Sequence, residues 1–177
     1  MVWSAAAGAG ASAAGGYFRR AFGYAASITK MACTIHFISE YLMVLSPTIG
    51  PSMLPTLNIH GDIVMVDRLS HRFGMLRPGD VVLYTSPLNP HHYVVKRLIG
   101  IAGDTVVLDP SESDLVERRQ YTVPKGHVWL AGDNMNSSTD SRTYGPVPIG
   151  LIRGKVSAVV WPRYKRLRNE DIFVSTV

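Results

Sequence analysis

"YVVKRLI", Tyr93 to Ile99, is a β-branched and apolar run interrupted by two adjacent cations. Turn signals bound it on both sides, "LNPHH" before and "IAGD" after, and at this length it reads as a strand. Alternation along a strand puts Val94, Lys96 and Leu98 on one face and Tyr93, Val95, Arg97 and Ile99 on the other. Lys96 therefore shares its face with two apolar neighbours, while Arg97 points the opposite way. Apolar surroundings disfavour a charged amine and pull its pKa down. A neutral amine can take a proton from a hydroxyl, which an arginine cannot do. The plain alternative is a lysine at a sheet edge that snorkels to water.

Similar runs lie on either side of this strand. "DIVMVD" (Asp62 to Asp67), "DVVLYT" (Asp80 to Thr85) and "DTVVLD" (Asp104 to Asp109) read as short β-like runs. So do "RRQYTV" (Arg118 to Val123), "HVWLAG" (His127 to Gly132) and "KVSAVVW" (Lys155 to Trp161). The connectors "RPGD", "VPKG" and "YGPVPIG" are rich in Gly, Pro and Asp. Seven closely spaced strands without helical interludes predict a mainly β fold, a folded barrel or sandwich. The length of 177 residues suits one such domain with a modest core. No internal repeat is visible.

Two polar segments flank this frame. In "GPSMLPTL" (Gly50 to Leu57), Pro51 and Pro55 fix φ and donate no backbone hydrogen bond, so the segment is neither an interior helix nor a central strand. It reads as a stiff connector presenting Ser52; taken alone, the plainer reading is a proline-rich loop with an incidental serine. "GDNMNSSTDSRTYGPVP" (Gly132 to Pro148) is unusually polar for a loop that follows an apolar strand. It supplies hydroxyls, including Ser138, and a close acid–base pair, Asp140 with Arg142, able to brace a site wall.

The remaining features bound the function. Residues 1–39 contain no Asp or Glu but carry Arg19, Arg20 and Lys30. The first 23 residues are rich in Ala, Gly and Ser, a composition that suits an organelle-targeting leader or a disordered tail. Ile28, Met31, Ala32, Ile35, Ile38, Leu42 and Leu45 follow helical spacing, which predicts an anchor helix over 24–45, spanning or interfacial. A helix facing the globular core is the alternative. A formal charge of +5 sits mostly at the two ends, so the near-neutral middle argues against a nucleic-acid groove. "RYKRLR" (Arg163 to Arg168) opens a basic tail over 163–177. Cys33 is the only cysteine, which excludes an intramolecular disulfide, and no histidine spacing suggests a metal site.

Taken together, "GPSMLPTL", "GDIVMVDR" with "RPGDVVLY", "KRLIGIAGDTV" and "GDNMNSSTDSRTYGPVP" resemble, in order, the boxes of the type I signal peptidases, the serine–lysine leader peptidase family. The resemblance covers about 49–161 and implies a peptidase domain over 46–162. It implies Ser52 as nucleophile and Lys96 as general base, with Ser138 orienting the lysine. Asp140 and Arg142 match the supporting ion pair, and Asp133 the acid that opens the last box. Gly50 stands where bacterial members often carry a serine that helps bind the oxyanion, which leaves the Ser52 N–H as donor. The acid-free leader and "VPKGHVWLAGDN" are most similar to the mitochondrial inner-membrane branch of the family. That branch implies presequences as substrates, a second related catalytic subunit as partner, a catalytic domain facing the intermembrane space, and no metal or organic cofactor. A catalytically silent scaffold subunit and a self-cleaving Ser–Lys repressor-type protease are the alternatives.

Overall fold

Seated in a computed structural model of the chain, the YVVKRLI run is an inner strand of an eight-stranded sheet. The structure describes residues 6–107 and 120–167. Ten strands are present among them: β1 (Met43–Ile49), β2 (His60–Asp67), β3 (Val81–Thr85), β4 (Tyr93–Gly100), β5 (Thr105–Val107), β6 (Gln120–Thr122), β7 (His127–Ala131), β8 (Val147–Pro148), β9 (Ile152–Trp161) and β10 (Lys165–Arg166). The large sheet runs β1-β2-β9-β3-β4-β7-β8, with β10 added to β9, and β5 pairs β6 separately. Every pairing is antiparallel. The sheet curls into a half-barrel whose end strands do not pair with each other.

Strand β3 explains why the sheet has two cores. All five of its residues are buried. Val81 and Leu83 join Met53, Leu57, Val64, Val66 and Val156 on one face. Val82 and Tyr84 join Leu98, Val128, Leu130 and Ile152 on the other. Each fully buried Val or Leu contributes about 1.5–3 kcal/mol relative to exposure, so a strand with both faces covered is a strong organiser.

The chain divides into two units, residues 1–40 and 41–177. In the first, helix α1 (Ala6–Phe37) is continuous, so residues 6–23, whose composition suits a disordered leader, are helical. Among the described residues no helix is long and apolar enough to cross a membrane. Ile28, Met31 and Ile35 are each about 60% exposed on α1.

Three predicted boundaries move. The anchor helix predicted to reach residue 45 ends at Phe37, passes through a π-helical turn (Ile38–Leu42), and gives way to β1. Pairing from Met43 with Asp67 through Pro47 with Ile63 overrides the helical spacing of Leu42 and Leu45. Pro47 is tolerated because β1 is an edge strand. The globular unit accordingly begins at Tyr41 and not at Ser46. In the basic tail, Lys165 and Arg166 form β10 against β9, and Leu167 is buried in the first core. The predicted strand ends at Asp109 and Arg118, and residues 168–177 of the tail, lie outside the described residues.

Candidate active site

The turn that carries Ser52 is set by its neighbours. Gly50 has φ 123° and ψ 156°, a region essentially reserved for glycine, and its N–H donates to Ile59 O at 2.8 Å. Pro51 then starts a single 3₁₀ turn, Pro51–Met53, where its missing N–H costs nothing. Met53 is buried in the first core and pins the turn from below. From the other side Asn134 holds it twice: its N–H donates to Ser52 O (3.1 Å) and its side-chain amide to Pro51 O (3.1 Å).

Lys96 is 2% exposed on β4, beside Val82 of β3. Its Nζ donates to Ser138 Oγ at 2.8 Å, and Ser138 donates in turn to Asp140 Oδ2 at 2.6 Å. Asp140 is fully buried and caps a short helix, α3 (Ser141–Tyr144), the third after α1 and α2 (Leu69–Arg72). Arg142 grips it with two bonds, Nε to Oδ1 (2.9 Å) and Nη2 to Oδ2 (2.7 Å), and Gly132 N–H adds a third at 2.8 Å. Burial alone would raise the Asp140 pKa, but Arg142, Ser138 and Gly132 overturn that and hold it below the usual carboxylate range. For Lys96, burial dominates and lowers the pKa from 10.5 to about 8, opposed by the Asp140 charge and assisted by Arg142.

A cleft of about 570 Å³ opens alongside, with Thr48, Gly50 and Ser52 on one wall and Tyr93 to Val95 on the other. Two unused strand edges face this space. Among the described residues, β1 pairs only with β2, and β7 engages β4 only from Arg97 onward. Such edges are templates for an added extended segment.

A family profile described as "Signal peptidase, peptidase S26" matches residues 21–116 and 107–161. The chain belongs to the signal peptidase family. Mitochondrial inner membrane protease subunit 1 of Schizosaccharomyces pombe is 47% identical over 144 residues, covering 81% of this chain and 89% of that protein. Mitochondrial ATP-independent inner membrane protease subunit 1a of Arabidopsis thaliana is 46% identical over 83% of this chain and 88% of its own length. Mitochondrial inner membrane protease subunit 2 of Danio rerio is 39% identical over 67% of this chain and 65% of its own. These relatives support a type I signal peptidase acting at the mitochondrial inner membrane.

In this signal peptidase the predicted residues divide into two groups. Lys96, Ser138, Asp140 and Arg142 form one continuous network, with Gly50 and Ser52 on the turn beside the cleft. Asp133 belongs to a second network built on Arg97, whose side chain projects from the opposite face of β4. Arg97 Nε and Nη2 grip the Asp133 carboxylate at 2.7 and 2.8 Å, Nη2 also reaches Thr56 Oγ1 (3.1 Å), and Nη1 donates to Gly79 O (2.8 Å). Thr56 closes the ring with a 2.5 Å bond to Asp133. Arg97 is 3% exposed and needs all these acceptors. It ties the Ser52 loop to the loop that holds Asn134. The strand pattern gives the direction of Arg97 but neither of its partners, because Asp133 lies 36 positions and Thr56 41 positions away. Nor does the sequence pattern alone single out Gly132, where a Cβ would meet Ser138 Oγ and come within 2.5 Å of Ser52 O. The signal available was a glycine directly after an apolar strand.

Proposed function

We propose that this signal peptidase removes sorting presequences from proteins directed to the mitochondrial intermembrane space, with Ser52 as nucleophile and Lys96 as general base. The observation that carries this reading is a buried lysine with a pKa drawn to about 8, held by Ser138 beside the cleft that Ser52 borders. Neutral Lys96 takes the Ser52 hydroxyl proton as Oγ bonds to the scissile carbonyl carbon. The Ser52 N–H stabilises the oxyanion, since the conformation of Gly50 suits no side-chain donor there. Protonated Lys96 then gives its proton to the leaving amine, and an acyl-enzyme remains on Ser52. Water, deprotonated by the same lysine, releases the acid product and restores the hydroxyl.

The substrate lies extended between the free edges of β1 and β4, each supplying backbone hydrogen bonds. Met53, Leu57 and Leu83 in the cleft give it apolar contacts. Helix α1 acts as the membrane anchor: Tyr24, Ile28, Met31 and Ile35 form an exposed stripe at spacings of three and four, which suits an interfacial helix. The catalytic unit faces the intermembrane space and works with a second, related catalytic subunit.

Cleavage of a synthetic presequence peptide, with and without the second subunit, tests the reading. Ser52→Ala and Lys96→Met each abolish cleavage without unfolding the protein, and the double variant is no worse than either, because the two groups act as one unit. Substantial turnover by Ser52→Ala overturns the mechanism, and a wild-type chain inert in both settings assigns it a scaffold role.

A further inference from the structure

Next to Lys96, on the same face of the sheet, two phenolic hydroxyls meet in the second core. The register pairs Val82 with Lys96 and Tyr84 with Val94, so Tyr84 and Lys96 project to one side from neighbouring strands. Tyr84 is 1% exposed, and its Oη lies 2.5 Å from Tyr144 Oη. Tyr144 ends α3, the helix that Asp140 caps. Within α3, Thr143 N–H and Tyr144 N–H both donate to Asp140 O, at 2.8 and 3.2 Å. Buried hydroxyls are costly unless paired, and two phenylalanines would fill the same space without that demand. The pair thus specifies a geometry that apolar packing alone would not.

Following the contacts gives a closed circuit. Strand β4 is bonded to β3, Tyr84 of β3 to Tyr144, α3 to Asp140, Asp140 to Ser138, and Ser138 to Lys96 back on β4. We propose that Tyr84 and Tyr144 are positioning residues of the peptidase: their hydroxyl–hydroxyl bond fixes α3 against β3, so that Asp140 holds Ser138 on Lys96. Burial raises the pKa of both phenols, so the pair stays neutral across the working range. The charges acting on Lys96 are Asp140, Arg142 and Asp133. Of these, Asp140 sits on the element that the tyrosines hold, and it favours the protonated amine.

The proposal rests on Lys96 being the base, and the test separates the two. Tyr84→Phe, Tyr144→Phe and the double variant are compared with wild type on a soluble peptide, reading kcat, KM, the pH profile of kcat/KM and thermal stability. Each single variant leaves one buried hydroxyl without its partner and melts earlier, and the double variant regains most of that loss. All three lose about tenfold in kcat at unchanged KM through loosened positioning. Their acid limb moves to lower pH, because a displaced Asp140 stabilises protonated Lys96 less. A double variant with wild-type kcat and an unmoved acid limb overturns the proposal and leaves the tyrosines as packing. A limb that moves to higher pH overturns it equally. If Lys96→Met retains cleavage, the base assignment fails first, whatever the phenylalanine variants do.

Discussion

At the scale of single residues, Lys96 carries a conflict between folding and chemistry. Its folded pKa is about 8 against 10.5 for a free lysine, with burial as the main cause. Between those values the unfolded chain holds the proton and the folded chain does not, so this group makes stability rise with pH across the window. Below about pH 8 the folded protein must charge a buried amine, and its destabilising effect is then complete. Lys96→Met is therefore more stable than wild type at neutral pH, by on the order of 2 kcal/mol. The difference shrinks as pH climbs toward 10.5, as denaturant melts at several pH values will record. On the catalytic side, kcat/KM should fall on the acid side of about pH 8, tracking the neutral amine. An acid limb that persists in active Lys96→His at the same pH would remove lysine from the role. Gly132 is governed by space. A methyl there presses on Ser52 O and Ser138 Oγ together, so Gly132→Ala cuts kcat at least a hundredfold by displacing both groups, while a circular dichroism spectrum stays close to wild type. Normal kinetics in that variant would mean the two segments can part without cost.

At the scale of elements, legibility followed the range of the interactions. Strands β2 to β7 and most of β9 are readable because short β-branched and apolar runs, and the Gly, Pro and Asp that bound them, are written in adjacent residues. Strand β1 was hidden because Leu42 and Leu45 continue the apolar spacing of the preceding helix, and only pairing with β2, some twenty residues later, decides otherwise. β8 and β10 are two residues each, too short for any periodic signal. The site obeyed the same rule. Asp140 and Arg142 stand two positions apart and were paired on sight, whereas Tyr84 and Tyr144 stand 60 apart, in runs that give no hint of each other. Strand β1 supplies a direct check on the corrected boundary. A chain beginning at Tyr41 keeps all of β1, and a chain beginning at Ser46 removes Met43, Val44 and Leu45 from their pairing with Asp67, Val66 and Met65. The first should melt close to the full-length protein, and the second roughly 2 kcal/mol lower, chiefly from the lost burial and pairing around half-buried Val44. Equal melting of the two would return residues 41–45 to the anchor.

At the scale of the whole molecule, one curled sheet gathers the Ser52 turn, the Lys96 strand and the polar loop, while α1 forms a separate unit. The two jobs should therefore separate. Full-length protein is expected to pellet with anionic vesicles at high salt, and the chain from Tyr41 to stay in the supernatant while cutting a soluble peptide with unchanged kcat/KM. Co-sedimentation of the shorter chain would move the membrane contact to the catalytic unit. The sheet also dictates which length changes the gene can survive. Lys96 and Arg97 are neighbours with opposite duties on opposite faces, and the hairpin before them closes with Ser86 N–H on His92 O before Thr85 meets Tyr93. Codons added between Leu88 and His91 only enlarge that tip. One codon added between Tyr93 and Lys96 turns the strand over, delivering a guanidinium where Ser138 meets an amine and an amine where Asp133 meets a fork of donors. Two codons restore the facing but carry each group roughly 7 Å along the strand. Within this hairpin, tolerated insertions are thus confined to the tip, and a frame-preserving insertion library across residues 86–97 would recover active clones from its first half alone.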